Sequence, residues 1–419
     1  MDHILRKNFS YLFLLQTANY IIPLILLPYL THVLGAENFG KISFVQAFVA
    51  YFILITEYGF NTSVTREIVR FREDKMKLTR VFWTTTITKI LFALAGLITL
   101  GVLFSISPKL RIMSGLILIA FTGVLSSILF PLWLFQGLEK MAYITWLNLI
   151  PRVLVLVGTL LFVKMESDFL LALAIQSGGI LLSSIACSFL IVKQKIVGFY
   201  LPDGKDIKSA ITEGWHIFIS GVATNFYTTT NIVVLGFLTN DAVVGVFSAS
   251  EKIVRSIISL LSSVSQVTFP RINSYYKESK AKALDFGKKL LALSGIIALG
   301  IGFLLFISAP LLVRILFGLP QYAETINIIR ISSLLPFFAI CNGILAINFL
   351  ITFDLKKHLA GIVGIGCIFS LLFIIPAVLL GEAKGVAIIA VLTEILISFL
   401  LLKVLRRHNI LNFSIIGRL

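Results

Sequence analysis

The stretch KQKIVGFYLPDGKDIKSAIT, residues 193–212, decides how this chain is read. It is the longest polar break near the middle, and Pro202, Asp203 and Gly204 within it are residue types that punctuate helices. On both sides the sequence returns repeatedly to apolar runs of roughly 20 residues, each long enough to cross about 30 Å of hydrocarbon. Before the break these runs lie near 9–34, 41–63, 81–106, 112–136, 144–164 and 168–192. After it they lie near 213–238, 242–269, 289–313, 323–352, 357–380 and 384–405. The break divides about twelve spans six and six. The expected fold class is therefore an all-α integral membrane protein, with six-helix lobes at 1–208 and 209–419.

Composition agrees with that class. Hydrophobic residues make up 58% of the chain and charged residues 13%, against about a quarter charged in an ordinary soluble domain. Cys187, Cys341 and Cys367 all lie in apolar runs without metal-ligand spacing and read as small buried hydrophobes. The first run follows Arg6 and Lys7, is too long for a signal-peptide core, and reads as a retained helix.

The basic residues orient the spans. With the N-terminus cytoplasmic, alternation places the loops at 66–80, 193–208, 271–289 and 356–357 on the cytoplasmic side, with Lys403, Arg406 and Arg407. The opposite side receives few cations, among them Lys41, Lys109, Arg111, Lys164, Arg314 and Lys384. This is the asymmetry of the positive-inside rule, and both termini are expected to be cytoplasmic. The net charge of +16 is then a topology signal with some attraction to membrane lipids. Cations scattered over short loops do not make a nucleic-acid footprint.

The halves resemble each other. Thr17-Ala18-Asn19-Tyr20 matches Ala223-Thr224-Asn225-Phe226, and Gly40 to Ser43 matches Gly245 to Ser248. Phe104 to Pro108 matches Phe306 to Pro310, and the run Pro131 to Gly137 matches Pro336 to Gly343. Four pairs in the same order at about the same offset indicate a duplicated six-helix unit. Six is even, so the pseudo-symmetric copies are parallel, and transporters of this kind bind substrate between halves.

Polar groups inside spans cost about 2.5–3.5 kcal/mol each on insertion scales and normally face a bundle interior. Lys89, Arg152, Lys252, Arg255 and Arg330 lie inside spans; Glu57, Glu251 and Glu394 are the acids. The cationic excess suits an anionic substrate group. Several of these residues could instead pair with acids across helices or snorkel to the interface. Deep acids near Arg255 are few, so a recurring anionic ligand is expected to hold it in place of a permanent partner. Glu394 and Glu57 are the acids available for coupling to a proton or sodium ion. Asn19, Asn225 and Asn231 form polar patches that either line a sugar-accepting cavity or make interhelical hydrogen bonds. No Walker loop, Ser-His-Asp set, metal spacing or long soluble loop is present, which argues against an ATPase or other enzyme and implies no cofactor.

The chain resembles the Wzx-type O-antigen and polysaccharide-repeat flippases of the MOP exporter superfamily, nearly end to end. The resemblance rests on Leu34 to Gly40, Phe130 to Glu139, Gly214 to Ser220, Val244 to Lys252, and Pro270-Arg271. It implies two lobes in a V around a central cavity, as in MATE-like proteins. It implies an undecaprenyl-pyrophosphate-linked oligosaccharide moved from the cytoplasmic to the periplasmic leaflet of the bacterial inner membrane. Other polysaccharide-assembly proteins would be partners. Cation-coupled drug exporters of the same fold are the alternative; they often use an acid in the first span, where this chain has Asn19 and no acid.

Overall fold

A computed structural model describes the backbone of residues 2–318, 320–408 and 410, with the side chains of 2–10, 12–14, 20, 216, 220, 223–225, 227, 228 and 356 left aside. The described chain is helical throughout, without strands. In order the helices are α1 (Asp2–Glu57), α2 (Phe60–Phe71), α3 (Lys75–Ile106), α4 (Pro108–Ile112), α5 (Ser114–Leu129), α6 (Leu132–Gly137), α7 (Met141–Phe162) and α8 (Phe169–Lys193). They continue as α9 (Gly204–Leu238), α10 (Asp241–Glu278), α11 (Lys280–Leu316), α12 (Thr325–Ser332), α13 (Leu335–Gly343), a π-helix (Ile344–Ile351) and α14 (Lys356–Arg407).

Seven helices are long and apolar enough to cross a membrane, and an eighth appears if the bent pair Pro320–Ser332 and Leu335–Ile351 is one span. Two of the seven each hold two spans. In α1 the helix breaks at Gly35, with φ 71° and ψ 175°, a left-handed φ that glycine adopts without Cβ strain. In α14 it breaks at Glu382, with φ 44° and ψ −126°. Dividing these two, and adding the more polar α9 and α10, gives twelve spans among the described residues. This is an all-α membrane-protein fold. The connections expected near 34–41 and 380–384 are tight turns between two helices, at Gly35 and Glu382, and not extended loops. Gly385 explains the second: a Cβ there would overlap the Ala377 carbonyl oxygen.

The chain forms two compact units, Met1–Val222 and Ala223–Leu419. In the first, α5, α7, α8 and the two halves of α1 pack on one another. Short α2 follows a turn at Tyr58 and Gly59, both at positive φ. It buries Phe60, Val64 and Ile68 and exposes Arg66 and Arg70. A core of Trp133, Phe135, Phe60, Tyr58 and Cys187 closes this end, which carries the basic loops and is called here the basic side. In the second unit α10 to α14 pack around Phe349, Ile344, Leu401 and Leu405.

The internal repeat has a local structural counterpart. Span four is broken between α5 and α6, where Pro131 precedes the new helix. Span ten is broken between α12 and α13, with Pro336 in the first turn and a bend of 41°. Proline lacks the N–H that a continuous helix needs and is accommodated at a helix start.

Candidate functional site

In the first unit the polar groups turn inward. Lys89 on α3 is 1% exposed. Its ammonium donates to the Ser127 carbonyl at 2.9 Å, and Glu57 acts on it electrostatically. Glu57 accepts from Asn61 at 2.9 Å. Two residues singled out from sequence, Lys89 and Glu57, are thus brought together, in a packed interior that presents no ammonium to solvent. Arg152 on α7 differs: it is half-buried, and among the described residues it makes no ion pair and no hydrogen bond. Asn19 donates to Gln16 at 3.2 Å, while its buried Oδ1 has no partner among the described residues. Gln46 and Gln176, which the sequence reading passed over, bond across spans two and six at 3.1 Å.

In the second unit α10 carries the main polar face. Lys252, Arg255, Ser259, Ser263 and Gln266 recur at three- and four-residue steps, so they share one side of the helix. All but Ser259 are exposed. Val246, Ser250, Ile253 and Ser265 are buried in the packing of the unit. The hydroxyls of Ser259 and Ser263 return to carbonyls one turn back, which keeps the stripe polar without unmet donors.

Arg255 corrects an expectation. Its guanidinium bonds to Glu251 through Nε at 2.7 Å and through a terminal nitrogen at 2.6 Å. The acid that the sequence count made scarce stands one turn earlier on the same helix, the spacing at which side chains meet. Arg255 remains 48% exposed in this pair and Glu251 is 14% exposed. The cation is therefore presented outward by its acid.

Arg330 on α12 stacks over the Phe306 ring at 5.4 Å, and its Nε is buried without an acceptor. Phe306 is itself half exposed, so Arg330 sits at an aromatic edge of the unit. Asn231 is buried, and among the described residues its Oδ1 lacks a partner. The Asn225 side chain lies outside the described residues.

Glu394 is tied to a group that the sequence reading used only as a repeat marker. The Asn342 amide donates to the Glu394 carboxylate at 2.7 Å, and the Ser398 hydroxyl donates to Asn342 Oδ1 at 2.6 Å. Asn348, six residues on and fully buried, donates to Thr268 at 3.0 Å. The intervening π-helix is a feature frequent at functional sites, and no residue type in ILAINFLI announces it.

Outside the spans, the linker is fastened to α3. Arg80 pairs with Asp206, and Tyr200 donates to the same carboxylate at 2.7 Å. The Arg80 guanidinium holds the Asp206 carboxyl below its ordinary value. Trp83 Nε1 donates to the Gly198 carbonyl at 2.8 Å. On α2, burial, and then the charge and hydrogen bond of Glu213, push the Glu67 carboxyl up to about 7.

An exposed, cationic, hydroxyl-lined helix face is costly to rest against hydrocarbon. The chain is 32% identical to a protein of Escherichia coli strain K12 described as "Putative O-antigen transporter", over 97% of this chain and 98% of that one. It is also 32% identical to a protein of the same description from Shigella dysenteriae, over 96% and 100%. Among solved structures it is similar in fold to lipid II flippase MurJ in an inward closed conformation, with TM-score 0.76 and 15% identity over 95% of this chain and 87% of that one. It is similar to an inward-facing multidrug resistance MATE family transporter of the MOP superfamily, with TM-score 0.66 and 16% identity over 94% and 96%. Residues 5–276 match the family described as polysaccharide biosynthesis protein, and the chain belongs to that family.

Proposed function

We propose that this chain is a flippase for undecaprenyl-pyrophosphate-linked oligosaccharides, O-antigen or related repeat units, working by alternating access. It acts in the bacterial inner membrane with both termini cytoplasmic, and carries its cargo from the cytoplasmic to the periplasmic leaflet. Each hydroxyl taken unaided from water into alkane costs about 4–8 kcal/mol, so an oligosaccharide needs a polar path while its lipid tail stays in the bilayer. The observation that carries this reading is the α10 stripe of Lys252, Arg255, Ser259, Ser263 and Gln266. Hydroxyl and amide groups suit sugars; Lys252 and Arg255 suit a pyrophosphate. A cationic face is the wrong sign for an organic-cation cargo, which disfavours drug export. Glu394 is the acid assigned to proton or sodium coupling, and other polysaccharide-assembly proteins are the expected partners.

The test is transport of a fluorescent lipid-linked oligosaccharide in proteoliposomes. Arg255→Ala should abolish it, Arg255→Lys should keep a reduced rate, and Lys252→Ala should be milder. Glu251→Gln, which frees Arg255 from its acid, should retain transport. Normal rates in a well-folded Arg255→Ala protein would remove the pyrophosphate role.

A further inference from the structure

At the basic side of the second unit a groove of about 370 Å³ opens between the two halves of α14. Its walls are Gly361, Ile362 and Ile365 on one strand of the helix pair and Leu400 and Val404 on the other. Its rim is Lys357, His358 and Lys403, with His408 packed edge-on against His358 at 5.2 Å between rings. A Cβ on Gly361 would meet nothing within 4 Å, so the groove is open at that point. Lys357 and Lys403 are exposed, and among the described residues neither makes an ion pair. The nearest acid in sequence, Asp354, pairs with neither.

Three features converge. The floor is apolar. The two lysines mark the ends of the apolar parts of spans eleven and twelve, which is the depth of headgroup phosphates. The groove also merges with an outer face on which Ile365, Ile368 and Leu372 are 49%, 59% and 66% exposed, so its occupant arrives from the surrounding bilayer. Basic pockets between transmembrane helices bind anionic headgroups, and a volume of this size suits a small-molecule site.

We infer that this groove is a binding site for one anionic glycerophospholipid, with the phosphate between Lys357 and Lys403 and an acyl chain along Gly361, Ile365 and Leu400. The site takes a bulk membrane lipid and is separate from the α10 stripe. Lipid held there joins the basic ends of the last two spans, whose only covalent connection is the distant break at Glu382.

Native mass spectrometry of the purified full chain tests this, with phosphatidylglycerol as probe and phosphatidylcholine of the same acyl chains as control. Wild type should retain phosphatidylglycerol preferentially. Lys357→Ala and Lys403→Ala should each weaken retention about fivefold and the double variant about 25-fold. Gly361→Leu, which fills the groove without touching charge, should also weaken it. Lys282→Ala, at a lysine paired with Glu278 elsewhere on the basic side, should change nothing. Equal retention of the two phospholipids overturns the site, as do lysine variants that match Lys282→Ala. Binding of undecaprenyl phosphate in place of phosphatidylglycerol would make it a carrier-lipid site instead. The lysine variants decide the matter even if Gly361→Leu fails to fold.

Discussion

Asn342 holds Glu394 by two bonds: its amide donates to the carboxylate at 2.7 Å and to the Glu394 main-chain carbonyl at 3.0 Å. Removing the amide and removing the charge are therefore separable. Glu394→Gln keeps an acceptor for Asn342 and should leave folding intact while abolishing coupled transport. Asn342→Ala removes the amide's hydrogen bonds to a half-buried carboxylate and should cost about 1.5–3 kcal/mol of stability. Thermal unfolding and proteoliposome transport, measured on both, check this. Full transport by Glu394→Gln would leave the acid a purely structural role.

Lys89 and Arg152 should part company. Lys89 is enclosed and bonded to Ser127, so Lys89→Ala opens a cavity and leaves a carbonyl unmet, at about 2–3 kcal/mol. Arg152 makes no ion pair or hydrogen bond among the described residues, and Arg152→Ala should stay within about 0.5 kcal/mol of wild type yet slow transport. Equal unfolding temperatures for the two variants would contradict the structure.

How much of this was legible beforehand follows from what a single chain can encode. Span length, the polar linker and the paired Pro131 and Pro336 breaks are local, and hydropathy and proline chemistry display them. Arg255 with Glu251 was also within reach, because i and i+4 is a sequence relation; counting depth instead of spacing concealed it. The partners of Lys89 and Glu394 lie 38 and 52 residues away, and cross-helix contacts of that kind leave no periodic trace. A left-handed residue such as Gly35 was readable as a glycine, but nothing distinguished a break inside a helix from a loop.

Glu67 predicts a pH response at the basic side. Its carboxyl, raised to about 7 by burial and then by Glu213, binds its proton more tightly folded than unfolded. Stability should be greatest below the ordinary carboxylate value and fall as pH rises through about 7. Unfolding temperature should thus drop between pH 6 and pH 8, and Glu67→Gln should flatten that slope. An unchanged slope in the variant would place the response elsewhere.

The Arg80–Asp206 pair gives the opposite sign. Arg80 lowers the Asp206 carboxyl, so this contact contributes above the ordinary aspartate value and is lost as pH falls below it. Because Arg80 is 58% exposed, the pair should contribute no more than about 1 kcal/mol. Asp206→Ala, which removes the acceptor of both Arg80 and Tyr200, should speed chymotrypsin cleavage in the linker at neutral pH. Cleavage at the wild-type rate would show that the Trp83 bond to Gly198 suffices to hold it.

The π-helix at Ile344–Ile351 has a bearing on how the two halves can be compared. A wide turn accommodates a surplus residue, and each residue in an ordinary helix advances the side chains by about 100°. Beyond Gly343 the tenth span is therefore phase-shifted relative to the part before it; Asn342 bonds Glu394 before the shift and Asn348 bonds Thr268 within it. An alignment of the repeats drawn as two uniform helices slips by one position on one side of that turn. Shortening the turn by a single residue would rotate everything beneath it by nearly a third of a circle while leaving every residue type in place.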